Sequence, residues 1–193
     1  MRMQLLMYCA TISTGGESKM AKTWELRITR SGEQKRGVKR RTVGKYEVFH
    51  DGVKVAGLSG VTAETKGPGD NGTAGNNRCV EAGTYNLFTQ AGAKYVTIGY
   101  TPNVNPAALK RPGLLLLPTG KRVGILMHPG RGFLSSIGCI NPATKLATAT
   151  DDIDFVDSRK RVIAIIDDMK AFLGASFPGS NGVKIPNATI VIK

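Results

Sequence analysis

The chain of 193 residues has few histidines, few cysteines and no long hydrophobic run. Its two histidines and three cysteines never occur at C-x-x-C or H-x-x-x-H spacing, so we expect no structural zinc site, no other metal and no cofactor. An odd number of cysteines is a poor disulfide framework and predicts at least one free thiol. The apolar runs at 114–117 and 162–166 are far shorter than the roughly 18 residues that a membrane-spanning helix needs. We therefore predict no membrane span.

Acidic residues are also scarce. The 14 Asp and Glu stand against 27 Lys and Arg, which gives a formal net charge of +13. A surface this basic attracts polyanions such as nucleic acid, anionic lipid or the acidic groups of a bacterial cell wall. Ten of the basic residues fall between positions 19 and 45. This run indicates either a solvated strand face kept soluble by charge or a polyanion-binding surface, and the sequence leaves both open.

The N-terminal region differs from the rest of the chain. The first twelve residues contain one Arg and a short apolar patch at 5–10, without a convincing signal-peptide cleavage site. A small polar stretch follows. We expect residues 1–20 to form a flexible extension. Because no internal repeat or linker follows, we expect residues 21–193 to form a single domain.

The pattern after residue 20 is typical of a mainly β fold. The 24 glycines and 9 prolines indicate many turns. Alternating or continuous apolar segments predict strands at 24–28, 46–49, 53–55, 84–89, 95–100, 114–117, 123–127 and 188–192. The basic segment 31–41 is predicted to be a loop. Asp51 and Gly52 predict a hairpin turn, in which His50 would face solvent.

One helix is predicted late in the chain. Apolar residues recur at helical spacing from Val162 to Leu173. Asp157 or Ser158 can cap its first turn, and Gly174 can end it. A single amphipathic helix normally covers a sheet, so we expect its apolar face to join the core.

The segment 124–142 carries the residues that are able to do chemistry. His128 lies where an apolar strand ends and a Pro-Gly turn begins, and Cys139 follows eleven residues later, directly after Gly138. The glycine- and serine-rich stretch between them can loop back and bring the thiol near the imidazole. Strand ends and the loops beside them are where reactive groups reach solvent. The order also excludes papain-like enzymes, because no histidine follows Cys139.

This pair predicts acyl transfer through a thioester. A free cysteine has a pKa of about 8.5. We expect the imidazole of His128 to lower the pKa of Cys139, and Arg131 to favour the thiolate further. The thiolate would attack a carbonyl, and a second nucleophile would resolve the thioester. The backbone amides of Gly138 and Cys139 are predicted to face the oxyanion.

The hexapeptide at 136–141, Ser-Ile-Gly-Cys-Ile-Asn, resembles the signature of the L,D-transpeptidase (YkuD-like) family. That signature is an upstream His followed by Ser/Thr-His-Gly-Cys, an apolar residue and Asn or Arg. Ile137 occupies the position where the family usually has His, near which a backbone carbonyl often completes the triad. The short separation of His128 and Cys139 is similar to that of divergent members delivered as antibacterial effectors by type VI secretion.

The resemblance implies a YkuD-like β-sandwich or barrel with one C-terminal amphipathic helix and a closing strand. It implies attack on the bond between a diamino acid and the terminal D-Ala of a peptidoglycan tetrapeptide stem. Water as acceptor gives L,D-carboxypeptidase action, and an amine gives L,D-transpeptidation or exchange of D-Ala. The residues implied in catalysis are Cys139, His128, Ser136 and Gly138, and those implied in substrate binding are Arg131, Asn141 and Gly130.

An effector of this kind would be secreted without a signal peptide and act in the periplasm of a target bacterium. A secretion-machine carrier and an immunity protein would be its partners. Two other interpretations stay open: a non-catalytic basic module that binds nucleic acid or an anionic cell-wall polymer, and a phage or secretion-structural domain with a decayed site. Nucleic acid is the less favoured partner, because the basic run lacks interleaved aromatic residues and shows no known RNA- or DNA-binding pattern.

Overall fold

The computed structural model describes residues 21–193, so the flexible extension predicted for residues 1–20 lies outside the described range. Within this range, ten strands and one α-helix form a mainly β fold, as predicted. No helix in 21–193 combines the length and the apolar character needed to cross a bilayer. The strands are β1 (Trp24–Arg36), β2 (Lys39–His50), β3 (Val53–Thr65), β4 (Gly83–Thr89), β5 (Tyr95–Val96), β6 (Arg111–Pro112), β7 (Leu114–Leu117), β8 (Leu126–Met127), β9 (Asn141–Ala143) and β10 (Lys184–Ile192), and the helix is α1 (Phe155–Leu173).

Eight strands form one sheet in the order β8-β7-β4-β10-β1-β2-β3-β9. Its two edges meet where Met127 and Ile140 form a parallel bridge. The N–H of His128 donates to the carbonyl of Ile140 at 3.0 Å, and the N–H of Ile140 donates to the carbonyl of Leu126 at 2.8 Å. These bonds nearly close the sheet into a barrel. We call the junction of residues 126–128 with residues 139–141 the seam.

The helix packs into the same core as the sheet. Its buried residues Val162, Ile165 and Met169 contact a cluster that includes Trp24 and Leu26 of β1. Alternate residues of β1 point inward, which gives the buried and half-buried alternation of that strand. The predicted covering role of the helix is therefore confirmed.

The helix begins earlier than the sequence indicated. Asp154 is the N-cap, and its side chain accepts the N–H of Asp157 at 2.8 Å, so the predicted caps Asp157 and Ser158 both lie inside the helix. Ser158 is fully buried, and its hydroxyl donates to the backbone carbonyl of Pro142. Gly174 ends the helix as predicted, with a φ of 56° that favours glycine.

The predicted loop at 31–41 was wrong, because β1 and β2 continue as one long hairpin through it. The strands turn at Gly37 and Val38, where Gly37 has a φ of 58°. We call residues 31–43 the hairpin arm. Apart from Val43, which packs against a small apolar cluster, the arm contacts the rest of the molecule through polar side chains, among them Gln34 and Arg41. The usual alternation of apolar and polar residues is therefore missing from the sequence of this strand pair.

Two predicted strands are much shorter in the structure. The segment 95–100 contributes only β5, and the segment 123–127 contributes only β8. Gly99 and Gly124 have φ values of 71° and 69°, which interrupt an extended backbone. The N–H of Ile98 donates to the side-chain oxygen of Asn181 at 2.9 Å rather than to a neighbouring strand.

The hairpin turn at Asp51 and Gly52 is confirmed, but His50 does not face solvent freely. Its Nε2 lies 2.8 Å from a carboxylate oxygen of Asp168. Its ring stacks on Phe172 with the centroids 3.8 Å apart. The expectation that His50 faces solvent was wrong, because the sequence around the turn does not show that α1 packs over it.

Candidate active site

The seam places Cys139 and His128 on the same face of the sheet. Because Met127 is bridged to Ile140, Leu126 lies beside Cys139 and His128 lies beside Asn141. Met127 and Ile140 are buried in the core. Since side chains alternate along a strand, Cys139 and His128 are diagonal neighbours on the opposite face. Both line one open cavity of about 1080 Å³.

The His128 imidazole is held by the backbone carbonyl of the next residue and by the ring of Tyr95. Its Nδ1 lies 2.8 Å from the carbonyl of Pro129 and 3.2 Å from the amide nitrogen of Asn141. Because a carbonyl can only accept, the shorter contact with Pro129 favours a ring proton on Nδ1, which leaves Nε2 as an acceptor. The side-chain amide of Asn141 donates to the backbone carbonyl of His128 at 2.9 Å. The ring stacks on Tyr95 with the centroids 4.4 Å apart. The imidazole is therefore fixed in one orientation.

Burial lowers the pKa of His128 to about 4, although the hydrogen bond to Pro129 opposes this change. The charges of Arg111 and Lys94 lower it further. His128 is therefore neutral at physiological pH, with Nε2 free to accept a proton.

The family resemblance placed the third catalytic group near Ile137, and the structure differs. The carbonyl of Ile137 accepts a hydrogen bond from the Arg122 guanidinium at 3.3 Å. The carbonyl that holds His128 is that of Pro129, the next residue along the chain. An isoleucine at position 137 therefore leaves the orientation of the imidazole unaffected.

The Cys139 thiol is partly exposed and lies against the start of the β8 segment. The N–H of Leu126 donates to Sγ at 3.4 Å, and Sγ is 3.5 Å from the carbonyl of Gly124. Among the hydrogen bonds of residues 21–193, none joins Sγ to the His128 ring. The two groups face one cavity without being bonded to each other.

The pKa of Cys139 is raised, which corrects the expectation of an activated thiolate. Burial is the main cause, and the Leu126 N–H and the charges of Arg122 and Lys94 oppose it. Neither His128 nor Arg131 is among the groups that act on the thiol. In the resting protein, Cys139 is a neutral thiol beside a neutral imidazole.

The loop before Cys139 is fixed by Ser136 and Arg122. The hydroxyl of Ser136 donates to the carbonyl of Cys139 at 2.6 Å. Arg122 is buried and donates to the carbonyls of Cys79 at 3.0 Å and Ile137 at 3.3 Å. A Cβ on Gly138 would lie 1.8 Å from the Arg122 guanidinium, so a larger residue would have to displace this side chain. Neither Gly138 nor Cys139 donates its backbone N–H to another group within residues 21–193. Cys139 lines the cavity, whereas Gly138 is buried and does not.

The three residues predicted to bind substrate lie in different surroundings. Arg131 is exposed and lines the cavity. Gly130 is buried, and its N–H donates to Ser158 Oγ at 2.9 Å. A Cβ on Gly130 would lie 2.7 Å from the Cβ of Asn141, so this close approach requires glycine. Asn141 is fully buried beneath His128. The placement of Gly130 and Asn141 supports a positioning role rather than the predicted substrate contact.

Several residues of this site were missed by sequence reasoning. Lys94, Tyr95 and Arg111 line the cavity from a segment that precedes His128 by 17 or more positions, and Lys39 reaches it from the hairpin arm. Arg122 and Ser158 hold the backbone on either side of the pair. No local pattern distinguishes these residues from the other basic and polar residues of the chain. Only the closure of the barrel brings them together.

No cluster of three or more histidine, cysteine, aspartate or glutamate side chains converges in residues 21–193. Comparison with known proteins finds no matching family model, and it finds no significant match among curated proteins or solved structures. The chemistry of this site therefore rests on its own geometry.

Proposed function

We propose that this protein is a cysteine acyl-transfer enzyme that acts on peptidoglycan stem peptides, with a YkuD-like fold and L,D-transpeptidase or L,D-carboxypeptidase chemistry. One observation carries the proposal. Cys139 and His128 lie diagonally on one face of the seam and line the same cavity. The contact with Pro129 favours the ring proton of His128 on Nδ1, so Nε2 is available as a base.

The first step is attack on the carbonyl carbon of the bond to the terminal D-Ala. Sγ of Cys139 forms a C–S bond while its proton passes to Nε2 of His128. Because both groups are neutral at rest, proton transfer accompanies the attack rather than preceding it. The carbonyl π electrons move to oxygen, and we assign stabilisation of this oxyanion to the backbone N–H of Cys139, which lines the cavity and has no partner within residues 21–193.

The second step breaks the C–N bond. The oxyanion collapses to a thioester, and the imidazolium returns its proton to the departing amine of D-Ala. Water or the amine of another amino acid then attacks the thioester while His128 accepts its proton. The C–S bond breaks, the imidazolium protonates the departing thiolate, and the enzyme is restored. Water gives L,D-carboxypeptidase action, and an amine gives exchange or cross-linking.

A peptidoglycan substrate would locate this activity in the periplasm of a target bacterium. The antibacterial effector role belongs to the same proposal, together with a secretion-machine carrier and an immunity protein. These assignments are supported by the sequence resemblance alone. They depend on the acyl-transfer activity being present.

The test is mass spectrometry of disaccharide tetrapeptides after incubation with the protein, with and without added D-methionine. We expect release of D-Ala and, with D-methionine, a mass increase from exchange. Cys139→Ala should reduce product to background, because no nucleophile is left. Cys79→Ala is the matched control, because Cys79 is a buried thiol outside the cavity and its loss should preserve activity. Turnover by the Cys139→Ala protein would overturn the mechanism.

A further inference from the structure

The cavity beside Cys139 has a basic wall. Among residues 21–193, four basic side chains line it and no acidic side chain does. They come from separate parts of the chain: Lys39 from the hairpin arm, Lys94 and Arg111 from the segment around β5 and β6, and Arg131 from the turn after His128. Because the wall contains no counter-charge, the cavity attracts an anionic group.

Arg111 is the most constrained of these cations. It is only 6% exposed, and no carboxylate within residues 21–193 forms a salt bridge with it. One guanidinium nitrogen donates to the carbonyl of Pro106, while Nε is buried and has no hydrogen-bond partner in the described part of the chain. A buried guanidinium with donors left over is unfavourable unless an anion completes its bonding.

Arg111 and the candidate base His128 both contact the ring of Tyr95. The guanidinium carbon of Arg111 lies 4.5 Å from the centroid of the Tyr95 ring. The same ring stacks on His128 at 4.4 Å. One aromatic side chain therefore contacts both the cation and the imidazole. The charges of Arg111 and Lys94 both act on His128.

The chemistry of a terminal residue fits this arrangement. In the proposed reaction, His128 protonates the nitrogen of the departing residue. The carboxylate carbon of a terminal amino acid is only two bonds from that nitrogen. A carboxylate on the departing residue must therefore lie near the imidazole, where Arg111 and Lys94 supply positive charge.

We propose that Arg111, flanked by Lys94, binds the free carboxylate of the residue that is released, so the enzyme acts on the last residue of a peptide and not on an internal bond. This inference rests on the proposed function, because the acyl-transfer reaction determines which residue of the peptide is released. A guanidinium binds a carboxylate through paired N–H donors, which gives geometric selectivity as well as charge.

The binding test uses the full chain carrying Cys139→Ala, so that no turnover occurs. Its affinity for a stem tetrapeptide ending in D-Ala is measured by calorimetry against the same peptide ending in D-alaninamide. We expect the acid to bind about tenfold more tightly than the amide, as a charge-assisted hydrogen bond provides. Adding Arg111→Gln should bring this ratio close to one.

The matched control is Lys121→Gln, which removes one positive charge from an exposed site outside the cavity. It should leave the acid-to-amide ratio unchanged. Arg111→Lys should keep part of the preference, because the charge remains without the paired donors. Equal affinity for acid and amide with Arg111 intact, or no binding of either peptide, would overturn the inference even if Arg111→Gln fails to fold.

The turnover of the unmodified chain separates this inference from the proposed function. Preferential binding of the acid without release of D-Ala would keep the carboxylate site and overturn the acyl-transfer function. Equal release of D-Ala and D-alaninamide would keep the function and overturn the carboxylate site.

Discussion

The hairpin arm and the cavity wall are both basic and share Lys39, but the arginines of the two regions have different partners. In the arm, Arg41 is fully buried and donates to the carbonyls of Phe133 and Thr148, each at 3.0 Å, and to Gln34. Arg36 donates to the carbonyl of Ala149 at 2.7 Å and pairs with Asp152 at 2.6 Å. The cations of the cavity wall have no carboxylate partner in residues 21–193.

A count of charged residues therefore does not reveal which of them are available to a ligand. An arginine that donates to several carbonyls holds loops together, whereas an arginine with spare donors in an open cavity is available to a ligand. Arg30 of the basic run is also engaged within the protein, because it donates to both carboxylate oxygens of buried Glu64. The run at 19–45 therefore offers a weaker polyanion-binding surface than its composition indicates.

The largest expected effect tests the structural side of this comparison. We expect Arg41→Ala to lower the free energy of unfolding by about 4 kcal/mol, because it removes several hydrogen bonds of a buried cation and leaves carbonyls unsatisfied. The neighbouring Arg40→Ala is the matched control. Arg40 makes one exposed ion pair, with Glu33 at 3.7 Å, so its loss should cost less than about 0.5 kcal/mol.

Urea unfolding at pH 7.5 measures both variants. Equal and small changes for Arg40→Ala and Arg41→Ala would mean that the contacts of the arm do not stabilise the fold. The distinction between structural and available cations would then fail.

The second prediction concerns the residues of the cavity and uses the pH dependence of the free energy of unfolding. The pKa of His128 falls from 6.5 to about 4 on folding, so the unfolded chain binds more protons than the folded protein between these values. The contribution of neutral His128 to the free energy of unfolding is complete above pH 7. This contribution is lost as the pH falls from 6.5 to about 4. The loss between pH 7.5 and pH 4 should be about 3 kcal/mol.

The control for this titration is His128→Asn, which cannot be protonated in that range. Glu64 has a raised pKa because of burial, and it titrates with the opposite sign. It is present in both proteins, so the difference between their pH profiles isolates His128. Parallel profiles would show that the imidazole is not shielded as the structure indicates.

The smallest expected effect concerns an available cation. Arg131 lines the cavity and is exposed. We expect Arg131→Ala to change the free energy of unfolding by less than about 0.5 kcal/mol, as for other exposed side chains outside a hydrogen-bonded network. Thermal melting beside Arg41→Ala measures this. A destabilisation comparable to that of Arg41→Ala would place Arg131 in the structural class and remove the contrast between the two regions.

The sequence predicted the features that depend on local pattern. The mainly β class, the hairpin turn after His50, the strand at 114–117 and the end of the helix at Gly174 follow from alternation, from helical periodicity and from glycine. It missed the continuation of β1 and β2 through the arm, because the polar groups of the arm are satisfied by distant loops. It also misjudged the pKa of Cys139, since burial is not visible in a linear chain.

The reactive groups and their order, with His128 before Gly138 and Cys139 in a glycine-rich segment, can be read from the linear chain. The surroundings of these groups depend on the folded molecule. Closure of the barrel at the seam puts both side chains on one cavity, sets their protonation by burial, and brings Arg111 to them through Tyr95. Burial, hydrogen-bond partners and the local electric field are properties of three-dimensional packing, because residues far apart in sequence create them together.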